Sequence, residues 1–312
     1  MPPLLEVARD HAVARLWLNR PDQHNALSPD LAAELAGALD SLAHDGSVRV
    51  VVLGGHGPSF CAGADLPAMK ASASASFEDN LTEAVRLGGL FAALADFPKP
   101  VVGRIHGNVF GGGVGLAGGC DIPVAADDSV FALTEVRLGI LPALISPYVI
   151  RRLGDRNARE YMLTGERFGA QQALHLGLVQ HVVRPAELDA KVEERVQSLL
   201  TGAPHAQTRI KMLLESYLDS SWEEYRSVLP RTLAEVRSGE EAREGLAAFF
   251  EKRKPKLVAG ESGSGGTPAR QPVERSPTCC SPPRVAPITA RGLPSPPVRL
   301  ELFLRINVRC SR

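Results

Sequence analysis

Alternation of β-forming runs with helical segments constrains the fold of this chain most strongly. Residues 12–18 and 48–53 are rich in β-formers and are bounded by polar or glycine-containing turns, as strands are. The segment between them begins with Ser28 as a helix N-cap and Pro29 at the first helical position, and leucines then recur every three or four residues. Further strands are indicated at 100–107 and within 122–133. Strands that alternate with helices predict parallel pairing and therefore an α/β fold.

The chain changes character near residue 146, where helical periodicity replaces the alternation. Helices are predicted near 147–163, 186–200, 205–219, 222–237 and 240–253. Residues 258–312 differ again, because they are dense in proline, serine and glycine, carry eight Arg and three Glu, and have no amphipathic period. Such a segment lacks the apolar surface that would offset the entropy of ordering. Residues 258–312 are therefore predicted to be a disordered Pro/Ser/Arg-rich tail.

Composition excludes several classes of protein. The 312 residues are 44% hydrophobic and 22% charged, with a formal net charge of zero, which is unlike a disordered chain or a nucleic-acid binder. No apolar run approaches the roughly 18 residues that a membrane helix needs. Glu6 and Asp10 stand where a targeting peptide would be basic or apolar. Three of the five cysteines lie within 258–312, and the remaining two, Cys61 and Cys120, are too few for a disulfide framework. We therefore expect a cytoplasmic protein with neither a membrane nor a nucleic acid as its partner.

Two glycine-rich turns that follow strands are the first candidates for a functional site. Residues 111–113 are three glycines that lead into a helix, so their backbone N–H groups are approachable and lie near the positive end of the helix dipole. The earlier turn carries the small residues Ala62, Gly63 and Ala64 after strand 48–53. If both turns lie at one edge of one sheet, their N–H groups can hold a single carbonyl oxygen, as an oxyanion hole does. Close helix packing is the alternative explanation for the glycines after residue 110.

Five segments occur in the order that is typical of the crotonase superfamily, the enoyl-CoA hydratases and isomerases. They are LNRPDQHNALS, PSFCAGADL, HGNVFGGGVGLAGGCDIPVAADD, FALTEVRLGILP and LTGERFGAQQALHLGLVQHVV. The resemblance extends from about Val7 to Leu257. It implies a crotonase-like spiral of ββα turns over residues 1–200 and a C-terminal helical trimerisation region over 201–257. It also implies an acyl-CoA substrate, no metal or other cofactor, and a homotrimer or a hexamer.

The resemblance assigns residues to the site as well. The oxyanion-hole donors correspond to the backbone N–H groups of Ala62 and Gly112, and the catalytic acid/base corresponds to Glu135. A carboxylate in an apolar cleft should have a raised pKa, which suits proton transfer near neutral pH. The remaining positions correspond to contacts with substrate or CoA, and they are His24, Gly63, Ala64, Asp65, Leu66, Gly115, Phe249 and Lys252. Phe249 and Lys252 would reach the CoA of a neighbouring subunit, whereas His24, like Lys70, has a solvated side chain as its alternative.

Gly115 departs from the pattern, because hydratases with two catalytic carboxylates have a glutamate at this position. A single Glu135 favours a Δ3,Δ2-enoyl-CoA isomerase, which needs one carboxylate to move a proton between C4 and C2. The wider segment 111–154 resembles bacterial hydratases of branched glutaconyl-type CoA esters, and this favours a hydratase. The distal carboxylate of such a substrate would fill part of the space over Gly115, with Arg137 as a candidate partner, for which a surface salt bridge is the alternative. A catalytically silent acyl-CoA-binding protein is a third possibility, against which the retention of Glu135 argues.

Overall fold

Alternating strands and helices are found where the sequence indicates them. The computed structural model describes residues 3–257. Its strands are β1 (Leu5–Asp10), β2 (Val13–Leu18), β3 (Val50–Gly55), β4 (Val101–Ile105), β5 (Asn108–Phe110), β6 (Ile122–Ala126), β7 (Val130–Ala132), β8 (Arg167–Gly169) and β9 (His181–Val183). Its helices are α1 (Pro29–His44), α2 (Leu66–Ser72), α3 (Phe77–Ala95), α4 (Gly112–Gly119), α5 (Ser146–Thr164), α6 (Ala170–His175), α7 (Leu188–Leu200), α8 (Pro204–Asp219), α9 (Trp222–Arg237) and α10 (Glu240–Phe250). Short 3-10 helices cover Pro21–Gln23, Thr134–Leu138 and Pro185–Glu187.

The strands form two sheets. The larger has the order β1-β2-β3-β4-β6-β9, in which β1 pairs antiparallel with β2 and every other neighbouring pair is parallel. The smaller has the order β5-β7-β8, with β5 parallel and β8 antiparallel to β7. The predicted α/β class with parallel pairing is confirmed.

Strand β3 shows why the larger sheet is covered on both faces. Its residues are all buried, as expected for a continuous apolar run in a parallel sheet. Val50 and Val52 pack in a small cluster with Val192 and Val196 of α7, whereas the side chains between them belong to the main core. That main core also contains the buried faces of α1, α3, α4 and α5. Helix α7 therefore covers one face of the sheet, and the rest of the core covers the other.

Helix α1 forms as its sequence predicts. The Ser28 hydroxyl accepts a hydrogen bond from the N–H of Leu31 at 3.2 Å, and Pro29 is the first helical residue. The leucines of its apolar face are buried, and they are Leu31, Leu35, Leu39 and Leu42.

The prediction of nearly continuous helix after residue 146 is wrong in two places. Strands β8 and β9 interrupt it, and each has only three residues, which is too short for a two-residue period to stand out. The helices predicted near 147–163, 186–200, 205–219, 222–237 and 240–253 are confirmed as α5 and α7–α10, with shifts of a few residues at their ends. The predicted tail, 258–312, lies outside the described residues. Among the described helices, none combines the length and the hydropathy that crossing a bilayer requires.

Helices α8–α10 bury very little surface within this chain. Helices α8 and α9 have no buried residue, and Ala248 is the buried residue of α10. Their exposed apolar side chains are Ile210, Met212, Leu214, Tyr217, Leu218, Trp222, Val228, Leu233, Leu246, Phe249 and Phe250. An apolar surface of this extent indicates a surface for association with another molecule.

Two substitutions in α1 should change stability in opposite directions. Leu35→Ala removes a fully buried side chain and should lower the free energy of unfolding by about 2 to 5 kcal/mol. Gly37→Ala adds a methyl group on the exposed side of the same helix, where no atom lies within 4 Å of the new Cβ. It should raise the free energy of unfolding by about 0.5 to 1 kcal/mol through helix propensity. Chemical denaturation of both variants tests the packing of α1, and a destabilising Gly37→Ala would contradict it.

Candidate active site

The two glycine-rich turns lie side by side, held by backbone hydrogen bonds. The N–H of Cys61 donates to the carbonyl of Asn108 at 3.2 Å, and the N–H of Phe110 donates to the carbonyl of Cys61 at 3.0 Å. Gly63 approaches the same segment so closely that a Cβ at this position would lie 3.1 Å from the Phe110 carbonyl oxygen. The two turns therefore meet, although they follow β3 and β5, which belong to different sheets and do not share the edge of one sheet as expected.

Gly111 joins β5 to α4 in a conformation that requires glycine. Its φ is +48°, and its N–H donates to the carbonyl of Ala132 at 2.9 Å, which fixes this turn against β7. A Cβ on Gly111 would lie 2.9 Å from Oε1 of Glu135. The Glu135 carboxyl group can therefore pack against Gly111 because this residue has no side chain.

Glu135 is the ionisable group of the site. It lies on the 3-10 helix Thr134–Leu138, which follows β7 directly. Its Oε2 atom is buried and has no hydrogen-bond partner among the described residues. Burial raises the pKa of this carboxyl group, and a backbone hydrogen bond at Glu135 only partly opposes the effect. A carboxyl group with a raised pKa and a free oxygen is suited to accept and return a proton near neutral pH.

A cavity of about 300 Å³ opens in front of Glu135. Backbone of both glycine-rich turns lines one side of it. Its apolar lining side chains include Leu27, Leu66, Met69, Leu87, Phe91, Phe110, Leu138, Ile140, Leu141, Leu144 and Ile145. Among the described residues that line it, Glu135 is the only ionisable one. The cavity is therefore suited to an apolar group that presents a reacting centre to one carboxylate.

The structure corrects one of the two expected oxyanion-hole donors. The N–H of Ala62 donates to the carbonyl of His24 at 2.9 Å, so it is already engaged. Ala64 lies in a parallel bridge with Leu27, and the bridge uses the carbonyl of Gly63 and the N–H of Asp65, at 2.8 and 3.2 Å. This leaves the N–H of Ala64 without an acceptor among the described residues. Ala64 is exposed and lines the cavity.

The second expected donor is the N–H of Gly112, and it is available to a ligand. Gly112 is the first residue of α4, so its N–H has no acceptor within the helix. It makes no other hydrogen bond among the described residues, and Gly112 lines the same cavity as Ala64. The available pair of backbone donors is therefore Ala64 and Gly112.

Asp65 and His24, expected to contact substrate or CoA, make structural contacts in this turn, and their contact with substrate or CoA stays a prediction. The Asp65 carboxylate is buried, accepts from the N–H of Ala68 at 3.1 Å as the N-cap of α2, and accepts from the Arg20 guanidinium at 2.7 Å. The His24 ring is 2.9 Å from the Ser59 hydroxyl, and His24 is not among the cavity-lining residues. Both side chains hold the turn that presents Ala64.

The space over Gly115 is not open, contrary to the expectation that substrate would fill it. A Cβ on Gly115 would lie 2.8 Å from the Cβ of Ile145 and 2.9 Å from Cε1 of Phe91. Arg137, the expected partner of a distal carboxylate, packs near Gly165 and is absent from the cavity lining. The predicted roles of Gly115 and Arg137 toward a carboxylated substrate are therefore not supported by these contacts.

The remaining predicted residues divide between the cavity and the exterior. Gly63 and Leu66 line the cavity. Lys70 of α2 is exposed and does not line it. Phe249 is 76% exposed at the end of α10, and neither it nor Lys252 reaches the cavity of its own chain. Contact of these two residues with the CoA of a neighbouring subunit stays a prediction.

Sequence reasoning missed Phe91, Ile145 and the loop 138–144 as parts of the cavity. Phe91 and Ile145 are 2% and 3% exposed, so each looks like an ordinary core residue at its own place in the sequence. The only available signal was Gly115 itself, because a glycine inside a helix often marks a close approach by another side chain.

Comparison with known proteins agrees with this geometry. The enoyl-CoA hydratase/isomerase family matches residues 8–259, so the chain belongs to this family and has its crotonase fold. An enoyl-CoA hydratase from Shewanella pealeana is 38% identical with a TM-score of 0.79, covering 81% of this chain and 96% of its own. AtuE of Pseudomonas aeruginosa is 37% identical with a TM-score of 0.80, covering 82% and 100%. The enoyl-CoA hydratase AKT6-1 of Alternaria alternata is 35% identical, covering 80% and 82%.

Replacing single backbone amides by esters should show which N–H group, that of Ala62 or that of Ala64, is the donor to the substrate. An ester at position 64 removes the available donor and should lower kcat on the substrate by about 100- to 1,000-fold. It also weakens the Gly63 carbonyl as the acceptor for the N–H of Leu27, so it should lower the free energy of unfolding as well. An ester at position 62 removes the hydrogen bond to His24 and should lower the free energy of unfolding by about 1 kcal/mol. Steady-state kinetics of both proteins make the test, with denaturation to confirm that each is folded, and a large loss of kcat at position 62 but not at position 64 would restore Ala62 as the donor.

Proposed function

We propose that this protein is an enoyl-CoA hydratase, which adds water across the C2=C3 bond of a 2-enoyl-CoA thioester. The observation that carries the proposal is the Glu135 carboxyl group, whose buried Oε2 has no partner among the described residues, in one cavity with the N–H groups of Ala64 and Gly112. The hydratase names of similar proteins support the same reaction.

In the proposed reaction the thioester carbonyl oxygen accepts hydrogen bonds from the N–H groups of Ala64 and Gly112. These donors stabilise the negative charge that develops on the oxygen as the enolate forms. The Glu135 carboxylate takes a proton from water while the water oxygen bonds to C3. Protonated Glu135 then gives the proton to C2, which restores the carboxylate. One carboxylate is sufficient for this cycle because it receives and returns the same proton.

We propose an uncharged acyl chain as the substrate, in place of the branched glutaconyl chain that the motif suggested. Among the described cavity-lining residues none is cationic, so a distal carboxylate would be buried without a partner there. Burying an unpaired charge is costly, whereas an apolar chain gains from contact with an apolar lining.

Isomerase chemistry is the second candidate. Gly115 supplies no carboxylate, so Glu135 is the only one among the described residues that line the cavity. A Δ3,Δ2-enoyl-CoA isomerase would move a proton between C4 and C2 with the same carboxylate and the same two donors. A catalytically silent acyl-CoA-binding protein is the third candidate. Neither the isomerase nor the silent binder needs the free Oε2 of Glu135 to hold a water molecule, whereas the hydratase does.

We further propose that residues 201–257 mediate trimer formation and that trimers can pair as hexamers. The exposed apolar surface of α8–α10 supports this assignment, as does its position after the spiral core proposed for residues 1–200. Phe249 and Lys252 would then reach the acyl-CoA site of the neighbouring subunit. A cytoplasmic location stays a prediction from the N-terminal sequence.

A panel of three thioesters tests the proposed reaction. Crotonyl-CoA, 3-methylglutaconyl-CoA and a 3-enoyl-CoA are incubated with the protein while the absorbance of the conjugated thioester is followed. We expect loss of absorbance with crotonyl-CoA and a much slower loss with 3-methylglutaconyl-CoA. Glu135→Gln should lower the rate by about 100- to 10,000-fold, because it removes proton transfer and keeps the shape of the side chain.

Glu166→Gln is the matched control, since Glu166 is exposed and does not line the cavity. Its rate should equal that of the wild type. Gain of absorbance from the 3-enoyl-CoA without any hydration would establish the isomerase instead. Inactivity of the wild type toward all three esters would favour the silent binder.

A further inference from the structure

The side chains of Ile145 and Phe91 form an apolar wall in the position where a second carboxylate would stand. Gly115 is buried on α4, and both side chains lie close to the position that a Cβ on Gly115 would take. A Cβ added there would lie 2.8 Å from the Cβ of Ile145, a branched atom that cannot move aside as a flexible chain end can. Gly115 and Ile145 therefore fit each other as small and large partners.

This apolar wall stands next to the acid/base. The N–H of Gly115 donates to the carbonyl of Gly111 at 3.2 Å, so the two glycines are one helical turn apart. Glu135 lies against Gly111, and Ile145 lies against Gly115, on neighbouring turns. Both residues line the same cavity, so an acyl group that fills it contacts Glu135 and Ile145.

The apolar wall is held firmly. Ile145 is 3% exposed and directly precedes α5, where its carbonyl accepts from the N–H of Val149 at 3.1 Å. Phe91 is 2% exposed on α3, and its ring also lies 3.6 Å from the position of a Cβ on Gly112. Both side chains line the cavity. A closely packed and buried wall discriminates between ligands by shape, since it cannot shift without disturbing the core.

We propose that Ile145, backed by Phe91, is the specificity-determining residue of the acyl site. In this proposal Ile145 limits the bulk of the acyl group beside Glu135, so the site takes slender, uncharged 2-enoyl chains and rejects chains with an added branch at the reacting end. Position 115 is glycine because Ile145 needs the space, and not because substrate occupies it. The inference rests on the proposed hydratase function and deepens it.

The contacts around Gly115 also predict the effect of placing a second carboxylate at this position. Gly115→Glu alone would drive its side chain into Ile145 and Phe91, so it should damage folding rather than restore a two-carboxylate site. The same contacts predict that even Gly115→Ala is harmful, and that it is less harmful once Ile145 is shortened to alanine, which removes Cγ2 but keeps the Cβ of residue 145 and the Phe91 ring nearby. Coupling of this kind between two positions is measured by a double-mutant cycle.

The test compares crotonyl-CoA with 3-methylcrotonyl-CoA, which differs by one methyl group on C3. Ile145→Ala should raise the ratio of kcat/KM for the branched ester to that for crotonyl-CoA by at least about tenfold, the usual effect of one methylene in an apolar pocket. Ile145→Val should change the ratio in the same direction by less, and it keeps the β-branched shape if Ile145→Ala proves unstable. Ile150→Ala is the matched control on α5, because Ile150 is exposed and does not line the cavity.

The double-mutant cycle completes the test. Gly115→Ala should lower kcat/KM for crotonyl-CoA and the melting temperature, and Gly115→Ala combined with Ile145→Ala should recover part of both. An unchanged ester ratio in folded Ile145→Ala and Ile145→Val, or a Gly115→Ala variant as active as the wild type, would overturn the inference. These outcomes are distinct from failure of the proposed function, in which the wild type itself hydrates neither ester.

Discussion

The site depends on burial of one carboxyl group against one glycine. Gly111 has a φ of +48° and no side chain, and Oε1 of Glu135 lies only 2.9 Å from the position that a Cβ would take. Any other residue at 111 would both strain the backbone and displace the carboxyl group. Burial without a protein partner for Oε2 keeps the Glu135 pKa raised, so the chemistry that we propose follows from a packing constraint.

The two backbone donors depend on the same constraint. The turn that contains Gly111 is clamped to the turn after β3 through Cys61, and this clamp brings Ala64 and Gly112 into one cavity. Neither donor is a side chain, so the identity of residue 64 matters less than the pairing of its neighbours with Leu27. The part-buried ion pair between Arg20 and Asp65 supports that pairing, because the N–H of Asp65 donates to the carbonyl of Leu27 in the bridge.

The sequence predicts the parts of the fold that are governed by local pattern. Leucine spacing in α1, the apolar run of β3 and the capping residue Ser28 were sufficient to predict those elements. Strands β8 and β9 were missed because three residues carry no readable period. Their place is set by pairing with β7 and β6, which are distant in the sequence.

The candidate site likewise contains some residues that the sequence identifies and others that depend on contacts between distant parts of the chain. Glu135 and Gly112 could be identified from their motifs, and the structure brings both into the cavity. Ala62 was expected as a donor in place of Ala64, because only the bridge with Leu27 decides which N–H is free. The space over Gly115 was expected to be open, because the Ile145 that fills it is 30 residues away in the sequence.

The pH dependence of unfolding tests the burial of Glu135 most directly. Unfolding free energies of the wild type and of Glu135→Gln are measured by chemical denaturation from pH 4 to pH 8. The folded-state pKa is raised above the unfolded value of about 4.3, so the folded protein binds more protons between the two values. The wild type should therefore lose stability relative to Glu135→Gln as the pH rises through this window, and the difference should level off above it. A difference that is independent of pH, or a wild type that gains stability over the window, would contradict the account.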